Sequence, residues 1–228
     1  MKIYSKLVIG TTLLLLFACK EDYTNVSFGT VEDNEGNSYR TITINELETT
    51  WMAQNLEVVI DADSTWCYND DLANCEKYGR LYSTKNVAKA CESLGGDWRV
   101  PTPSDWKELA DYYGGYVEVK SSTNITEHGK PEEAYERLLL GGISGFEAVL
   151  GGEGNIFFHN DGASYNSLES RGSYWAIDSN VLFGNLSLYT EKIEFSRGLR
   201  QIKISSSIDG FFAFSRDLRS CRCIKNTN

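Results

Sequence analysis

The 228-residue chain has few histidines, few prolines and little positive charge. Its two histidines, His128 and His159, are too few for a multi-histidine zinc site. The 22 lysines and arginines are outnumbered by 32 acidic residues, which gives a net charge of −10. Proteins that follow the phosphates of nucleic acid normally carry the opposite sign, so we expect no nucleic-acid partner. The content of 41% hydrophobic residues excludes a disordered, collagen-like or coiled-coil chain.

Long apolar runs are also scarce, and the one that stands out lies at the N-terminus, where Lys2 and Lys6 precede residues 7–17. This run is too short to cross about 30 Å of hydrocarbon as a helix, and it is typical of a signal peptide. It ends at Ala18-Cys19, which resembles the lipobox of bacterial lipoproteins. We therefore expect residues 1–18 to be a lipoprotein signal peptide and Cys19 to carry the lipid, palmitate included. The alternative is an uncleaved helix with an incidental cysteine.

The segment that follows Cys19 bears on where the protein is located. Residues 20–22 are Lys-Glu-Asp, which resembles the signal that sends Bacteroidota lipoproteins to the outer face of the outer membrane. The same residues also suit a plain solvated tether. Residues 19–28 form the expected lipidated tether, and its nine residues from Lys20 to Phe28 reach about 30 Å at most. We therefore expect a lipid-anchored protein at the cell surface, with its folded part close to the outer membrane.

Residues 29–228 are predicted to form a single domain, because no linker or internal repeat interrupts them. A helix is predicted to begin at Thr102, with Pro103 at its first position and Asp105 three residues after the cap. Two more helices are predicted at 84–94 and 132–140. Short strands are predicted at 39–44, after a turn at 33–37, and at 156–159, 181–183, 192–195, 201–204, 210–214 and 220–225. Two to three helices among short strands indicate an α+β domain.

Cysteine spacing predicts a disulfide framework in an oxidising compartment. Cys67 and Cys75 flank a polar loop of seven residues, which favours a local bridge. Cys91, on the predicted buried face of its helix, would then pair with the last strand and stabilise the fold by roughly 4–5 kcal/mol. Cys221 and Cys223 point to the same face of that strand, so one pairs and the other is left over. Alternatively, these two form a thiol pair for redox or metal chemistry, although histidine and acidic partners are missing.

A series of short motifs runs from about Asp33 to the C-terminus. In chain order they are Trp51-Met52-Ala53-Gln54-Asn55-Leu56, Cys67-Tyr68 with Cys75, Tyr78-Gly79-Arg80-Leu81-Tyr82, Trp98-Arg99-Val100-Pro101-Thr102, Gly145-Phe146 with Gly151-Gly152, Tyr174-Trp175, and Arg222-Cys223-Ile224-Lys225. The ordered set resembles the Fibrobacter succinogenes major paralogous domain. This resemblance implies a C-type lectin-like fold with long loops, found in secreted or surface lipoproteins and with no established activity. It also implies that Cys223 is the family's C-terminal cysteine, whereas Cys221 replaces an apolar residue.

The segment 159–178 is the main candidate for ligand binding, because a lectin-like fold places its long variable loops there and loops often carry function. Its candidate residues are Asn160, Asp161, Tyr165, Asn166, Arg171 and Asp178. Aromatic faces beside amides and carboxylates suit a sugar or a peptide. An ordinary polar loop is the alternative. Trp51, Trp98, Trp106 and Trp175 are instead predicted to lie in the core.

Calcium is a second ligand to consider, because oxygen-bearing side chains cluster twice along the chain. One cluster is Asn69, Asp70, Asp71, Asn74 and Glu76, and the other is Asp33, Glu35 and Asn37. Neither has the spacing of an EF-hand, and the sugar-coordinating triplets of calcium-dependent lectins are missing. A polar loop and a turn are the better interpretation, so no cofactor is predicted.

No catalytic motif stands out in the sequence. No pair of acids is marked out for glycoside hydrolysis, and neither a Gly-x-Ser-x-Gly elbow nor a phosphate-binding loop is present. We therefore expect a non-enzymatic binding module that recognises a glycan or a surface protein. One alternative is an enzyme like the formylglycine-generating enzymes, which have a related lectin-like fold and use two cysteines; here Cys221 and Cys223 would have to stay reduced. The other is a structural subunit of a surface assembly.

Overall fold

The computed structural model describes residues 25–61, 65–156, 162–178, 189–206 and 216–227. These residues form an α+β domain whose strands lie in four sheets. The strands are β1 (Val26–Glu32), β2 (Ser38–Ile44), β3 (Thr49–Met52), β4 (Thr65–Trp66), β5 (Leu81–Tyr82), β6 (Gly115–Ser121), β7 (Asn124–Gly129), β8 (Glu153–Ile156), β9 (Ala163–Asn166), β10 (Arg171–Asp178), β11 (Tyr189–Ser196), β12 (Gln201–Ser206), β13 (Asp217–Leu218) and β14 (Ile224–Asn226). The helices are α1 (Leu72–Tyr78), α2 (Val87–Glu92), α3 (Pro103–Tyr113) and α4 (Pro131–Leu138). Within these ranges, no helix has the length and apolar character needed to cross a membrane.

The first sheet joins the two ends of the described chain, in the order β1, β2, β3, β14. The predicted hairpin is confirmed: β1 and β2 pair antiparallel, and Ile42 and Ile44 are fully buried on one face. The turn is held by Asp33, whose carboxylate accepts hydrogen bonds from the backbone of Glu35 and Asn37. Because β1 begins at Val26, its first three residues belong to the sheet and the tether ends sooner than residue 28.

Helix α3 is confirmed in its start and its buried face. Thr102 and Asp105 form a reciprocal capping box, and Pro103 is the first helical residue. The Asp105 carboxylate also accepts two hydrogen bonds, of 2.6 and 3.0 Å, from the guanidinium of Arg99. Burial raises the pKa of Asp105, but the hydrogen bonds from Arg99 and Thr102 outweigh burial and hold this pKa below its ordinary value. The cap therefore joins the helix to the segment before it.

The other helices differ from the sequence prediction in length and number. The structure limits the helix predicted at 84–94 to α2. Helix α4 begins one residue earlier and ends two residues earlier than the predicted 132–140. Helix α1 was not predicted and brings the described α-helices to four instead of two to three. It begins inside the polar loop, where Asp71 caps it by accepting from the backbone N–H of Ala73 at 3.0 Å.

The largest sheet has the order β10, β11, β12, β6, β7, with β12 and β6 parallel. The predicted strands at 192–195 and 201–204 lie within β11 and β12, whereas the β6–β7 hairpin was not predicted. The strand predicted at 156–159 overlaps β8 by one residue, and 181–183 and 210–214 lie outside the described residues. The strand predicted at 220–225 is confined to β14 and begins later.

Tryptophans join this sheet to helix α3 and to the first sheet. The indole N–H of Trp106 donates to the carbonyl of Trp175 at 3.2 Å, and the Trp51 and Trp106 rings meet edge to face at 4.9 Å. These three side chains are at most 1% exposed, and Trp98 is 7% exposed. The prediction that these four tryptophans belong to the core is therefore confirmed.

Arg222 is a buried cation that binds two distant parts of the chain. Its guanidinium donates to the side-chain oxygen of Asn55 at 2.8 Å and to the carbonyls of Phe146 and Glu147. It also lies over the ring of Phe146, 4.5 Å from the ring centre. Burial lowers its pKa. The C-terminal segment is thereby fixed against the 146–147 loop and the motif that begins at Trp51.

Replacing Asp105 by asparagine is expected to lower the free energy of unfolding by about 1–2 kcal/mol at pH 7, because the helix cap and the Arg99 bonds weaken. A carboxylate whose pKa is depressed by folding stabilises the fold above its unfolded pKa of about 3.9. The difference from the parent protein should therefore shrink as the pH falls through the folded pKa. Urea denaturation between pH 7 and pH 2 measures it. Asp111→Asn on the same helix is the control, since partial burial raises the pKa of Asp111. A difference that persists at pH 2 would contradict the prediction.

Replacing Arg222 by lysine is expected to cost about 2–4 kcal/mol, because one ammonium cannot reproduce the planar fork and leaves a buried carbonyl unpaired. Chemical denaturation at pH 7 measures the loss. Arg197→Lys is the control, since Arg197 is exposed and its guanidinium donates to the Glu169 carbonyl at 3.3 Å. Equal stability of the two variants would show that the buried fork is not needed.

Candidate functional site

The structure places four of the six candidate residues from segment 159–178. Tyr165 and Asn166 end β9, while Arg171 and Asp178 are the first and last residues of β10. Asn160 and Asp161 lie outside the described residues. The expectation of one long loop is therefore wrong for 163–166 and 171–178. Strand β10 pairs with β11 along all eight residues, and its buried centre outweighs the polar composition of the segment.

Tyr165 is joined to the disulfide loop across 95 positions of sequence. Its hydroxyl donates to a carboxylate oxygen of Asp70 at 2.6 Å, and its ring lies 5.2 Å from that of Tyr68. Partial burial and the hydrogen bond to Asp70 raise the pKa of Tyr165, so the phenol stays protonated at neutral pH. A half-buried aromatic ring and an exposed carboxylate therefore stand side by side.

The disulfide loop holds Asp70 in position. Cys67 and Cys75 are bridged, and the side-chain N–H of Asn74 donates to the carbonyl of Tyr68 at 2.9 Å. Asn69 and Asp70 are both exposed and both adopt a left-handed backbone with φ of 56°. Left-handed residues other than glycine cost energy and are concentrated at functional sites. The loop thus adopts a backbone conformation of higher energy, which places two polar side chains next to Tyr165.

A second strained turn lies beside the first. It follows β9 and includes Ser167 and Glu169, with φ of 65° and 57°. The Glu169 carboxylate accepts from the hydroxyl of Tyr78 at 2.8 Å and from the ammonium of Lys77 at 3.1 Å. Gly152 packs between the two turns. A Cβ at this position would lie 2.7 Å from the Tyr68 ring and 2.7 Å from the carbonyl of Asn166, the residue before Ser167. We call the exposed surface formed by Asn69, Asp70, Tyr165, Asn166 and Glu169 the Tyr165 face.

Arg171 and Asp178 do not lie at the same site. They stand at opposite ends of β10, about 23 Å apart for a strand that rises about 3.3 Å per residue. The guanidinium of Arg171 lies 3.6 Å from the carboxylate of Glu194. Of the four candidate residues that the structure describes, Tyr165 and Asn166 therefore belong to the Tyr165 face. Asp70, which the sequence suggested for calcium, and Glu169, which it did not suggest, complete the surface.

Several atoms of the two calcium candidates already have partners. The Asp33 carboxylate accepts from the Tyr39 hydroxyl at 2.6 Å and from the Asn37 side chain at 2.9 Å, besides its backbone bonds. Burial raises the pKa of Asp33, but these hydrogen bonds bring it below its ordinary value. Asp71 caps α1, and Asn74 holds the Tyr68 carbonyl. These contacts are those of a turn and of a helix cap.

Three cysteines meet in the core. Cys91 and Cys223 form a disulfide, and the Cys221 sulfur lies 3.5 Å from that of Cys91 and 4.0 Å from that of Cys223. Among the cysteines that the structure describes, Cys221 is the free thiol. All three are fully buried, and burial raises the pKa of Cys221. The reactive thiolate is therefore disfavoured at this position.

The described residues form an α+β domain with two disulfide bridges. The family model for the Fibrobacter succinogenes major domain matches residues 42–225. The chain therefore belongs to this family, as its motifs predict. Neither the curated proteins nor the solved structures contain a match to it. The family match includes Tyr165 and all five described cysteines, whereas β1 precedes it.

Replacing Cys223 by alanine is expected to leave a bridge between Cys91 and Cys221, because their sulfurs already lie 3.5 Å apart. Oxidation of two neighbouring thiols during export would supply this bond. Peptide mapping without reductant identifies it. Cys221→Ala should keep the bridge to Cys223, and Cys91→Ala should leave both partners reduced. Free Cys91 and Cys221 in the folded Cys223→Ala protein would contradict the prediction.

Proposed function

We propose that this protein is a non-enzymatic, lectin-like binding module, anchored by lipid at the cell surface, whose Tyr165 face recognises a glycan or a surface protein. The observation that carries the proposal is the contact between Tyr165 and Asp70. It joins an accessible aromatic ring to a carboxylate between two strained turns. Such a combination of one apolar surface and a few oriented polar groups is typical of ligand sites.

The chemistry of the Tyr165 face suits a polyhydroxylated ligand. A sugar presents apolar C–H groups on one side and hydroxyls at its edge. The tyrosine ring offers an apolar contact, while Asp70 and Asn69 offer acceptors and donors that are exposed to solvent. Glu169 adds a second carboxylate, fixed by Tyr78 and Lys77. A protein loop with hydroxyl or amide groups could use the same partners, so a surface protein remains the second ligand class.

The arrangement of the sheets supports a C-type lectin-like fold. In such a fold the terminal strands pair and two helices flank small sheets joined by long connections. Here β1 and β14 share one sheet, and α2 and α3 precede the larger sheet along the chain. The bridge between Cys91 and Cys223 ties α2 to the C-terminal segment.

An enzyme of the formylglycine-generating type is a weaker proposal. That chemistry would need Cys221 and Cys223 as a reduced pair. In the structure Cys223 is bonded to Cys91, and the Cys221 thiol is buried. A purely structural subunit is favoured by no particular contact, and co-purification in mild detergent tests it.

The lipid anchor is part of the proposal. Cys19 follows an apolar run and a small residue, as in a lipobox, and the residues Lys-Glu-Asp follow it. Intact mass of the protein purified from membranes tests the acylation. Protease added to intact cells tests exposure at the outer face of the outer membrane.

A polysaccharide and glycan screen of the full-length protein in detergent, with calcium and again with chelator, tests the binding function. Tyr165→Ala and Asp70→Asn are each expected to raise the Kd of any ligand found by about tenfold, a loss of about 1.4 kcal/mol. Asp161→Asn tests the candidate outside the described residues. The control is Tyr112→Ala, because Tyr112 also pairs with a carboxylate, donating to Glu46 at 3.1 Å.

Outcomes of the screen separate the ligand classes. Binding that is lost with Tyr165→Ala but kept with Tyr112→Ala would support a lectin-like receptor. Unchanged binding in both variants would show that the ligand binds elsewhere than at the Tyr165 face. If the protein is folded by circular dichroism and binds no glycan, the result would count against a sugar ligand and leave a surface protein as the proposed ligand.

A further inference from the structure

Three large apolar side chains, one on strand β1 and two on the loop after α4, are exposed to solvent. Phe28 is 67% exposed, Leu140 is 62% exposed and Ile143 is 67% exposed. Single exposed apolar residues are common, but a group of them marks a surface that contacts another apolar phase. We call these three residues the Phe28 patch.

Phe28 lies directly on the loop that carries the other two members. A Cβ on Gly145 would lie 2.5 Å from the Phe28 ring, and Gly145 has a φ of +72°. Only glycine therefore fits beneath the ring at this point. Ile143 is two residues before Gly145, and the backbone N–H of Leu140 donates to the carbonyl of Ala148 at 2.9 Å, which closes the loop. The patch thus combines the edge strand β1 with one short loop.

The fold itself does not bury Phe28. In the register of the hairpin Phe28 stands opposite Ile42, which is fully buried. Phe28 shares the core-facing side of the sheet but sits on its outermost strand, beyond the core that covers Ile42. The family match begins at residue 42, so Phe28 lies outside the matched part of the chain.

The expected tether limits how far this edge lies from the membrane. Seven Cα-to-Cα steps separate Cys19 from Val26, and they reach about 25 Å when fully extended. A lipid on Cys19 would hold that end of the tether at the bilayer surface. The first residue of β1 therefore stays within one tether length of the lipid headgroups, and Phe28 is two residues further along the same strand.

Charge does not oppose this contact. The protein carries a net charge of −10, which disfavours contact with an anionic membrane over most of its surface. Next to Phe28, however, Arg40 and Glu147 form an ion pair. Both line a cavity of about 290 Å³ together with Phe28, Gly29 and Gly145. The charged groups that border the ring are thus neutralised by one another.

We infer that the Phe28 patch rests on the lipid bilayer, inserting its apolar side chains among the headgroups and orienting the domain on the membrane. This inference rests on the proposed lipid anchor at Cys19. The patch adds a second apolar contact to the lipid anchor at the same surface. The tether supplies proximity, and the patch supplies a fixed orientation.

Depth-dependent quenching tests the inference with the full-length, acylated protein. Phe28→Trp and, separately, Leu72→Trp are reconstituted in phosphatidylcholine vesicles whose acyl chains carry bromine. Leu72 is the matched control, because it is also 67% exposed but is the first residue of α1, inside the Cys67–Cys75 loop. Since an interfacial apolar side chain enters about 5–10 Å, the added fluorescence at position 28 should be quenched about twofold more than at position 72.

A second variant and a mass measurement separate failure of the inference from failure of the proposed lipid anchor. Ile143→Trp should behave like Phe28→Trp, and circular dichroism verifies that each variant is folded. Equal quenching at positions 28, 143 and 72 in acylated, vesicle-bound protein would overturn the inference and leave the anchor intact. If intact mass shows no lipid on Cys19 and the protein stays in solution, the proposed anchor fails, and the inference with it.

Discussion

The hydrogen bonds of one buried guanidinium hold the C-terminal segment in the structure. Arg222 donates to Asn55 and to two successive carbonyls, at Phe146 and Glu147. Each partner is a polar group that would be costly to leave unpaired in the core. Backbone bonds on either side extend the attachment, since the N–H groups of Met52 and Leu56 donate to the carbonyls of Cys223 and Cys221. Movement of the segment would therefore break these bonds and the packing of Cys221, Cys223 and Ile224 in the core.

This attachment makes a rigid platform for the Tyr165 face. The loop that Arg222 holds continues to Val149, whose N–H and carbonyl both bind the hydroxyl of the buried Tyr174. It then reaches Gly152, which packs between Tyr68 and the end of β9. A strained loop is stable only when its surroundings fix it. The left-handed conformations of Asn69 and Asp70 are sustained because the Cys67–Cys75 bridge and this packed backbone fix both ends of their loop.

Local signals in the sequence predicted local structure, and the bridge from Cys91 to the last strand was also predicted. Other side-chain contacts between distant residues were missed. The capping box of α3 and the β1–β2 hairpin depend on residues only a few positions apart, so they could be predicted. The β6–β7 hairpin was missed, because its outer strand is exposed and lacks an apolar face. Tyr165 was identified by its residue type. Its partner Asp70 could not be, since the pair is formed by packing of Tyr68 against Tyr165 across the fold.

Tyr165 and Phe28, two aromatic residues that reach the surface, differ in the presence of one polar group. Tyr165 has a hydroxyl, which finds a carboxylate partner, so its ring is stable while half in water. Phe28 has no polar atom and is 67% exposed, so nothing in the described fold offsets its contact with water. The first suits a site that exchanges water for a polar ligand. The second suits a permanent apolar neighbour, and the proposed lipid anchor would keep the bilayer within reach.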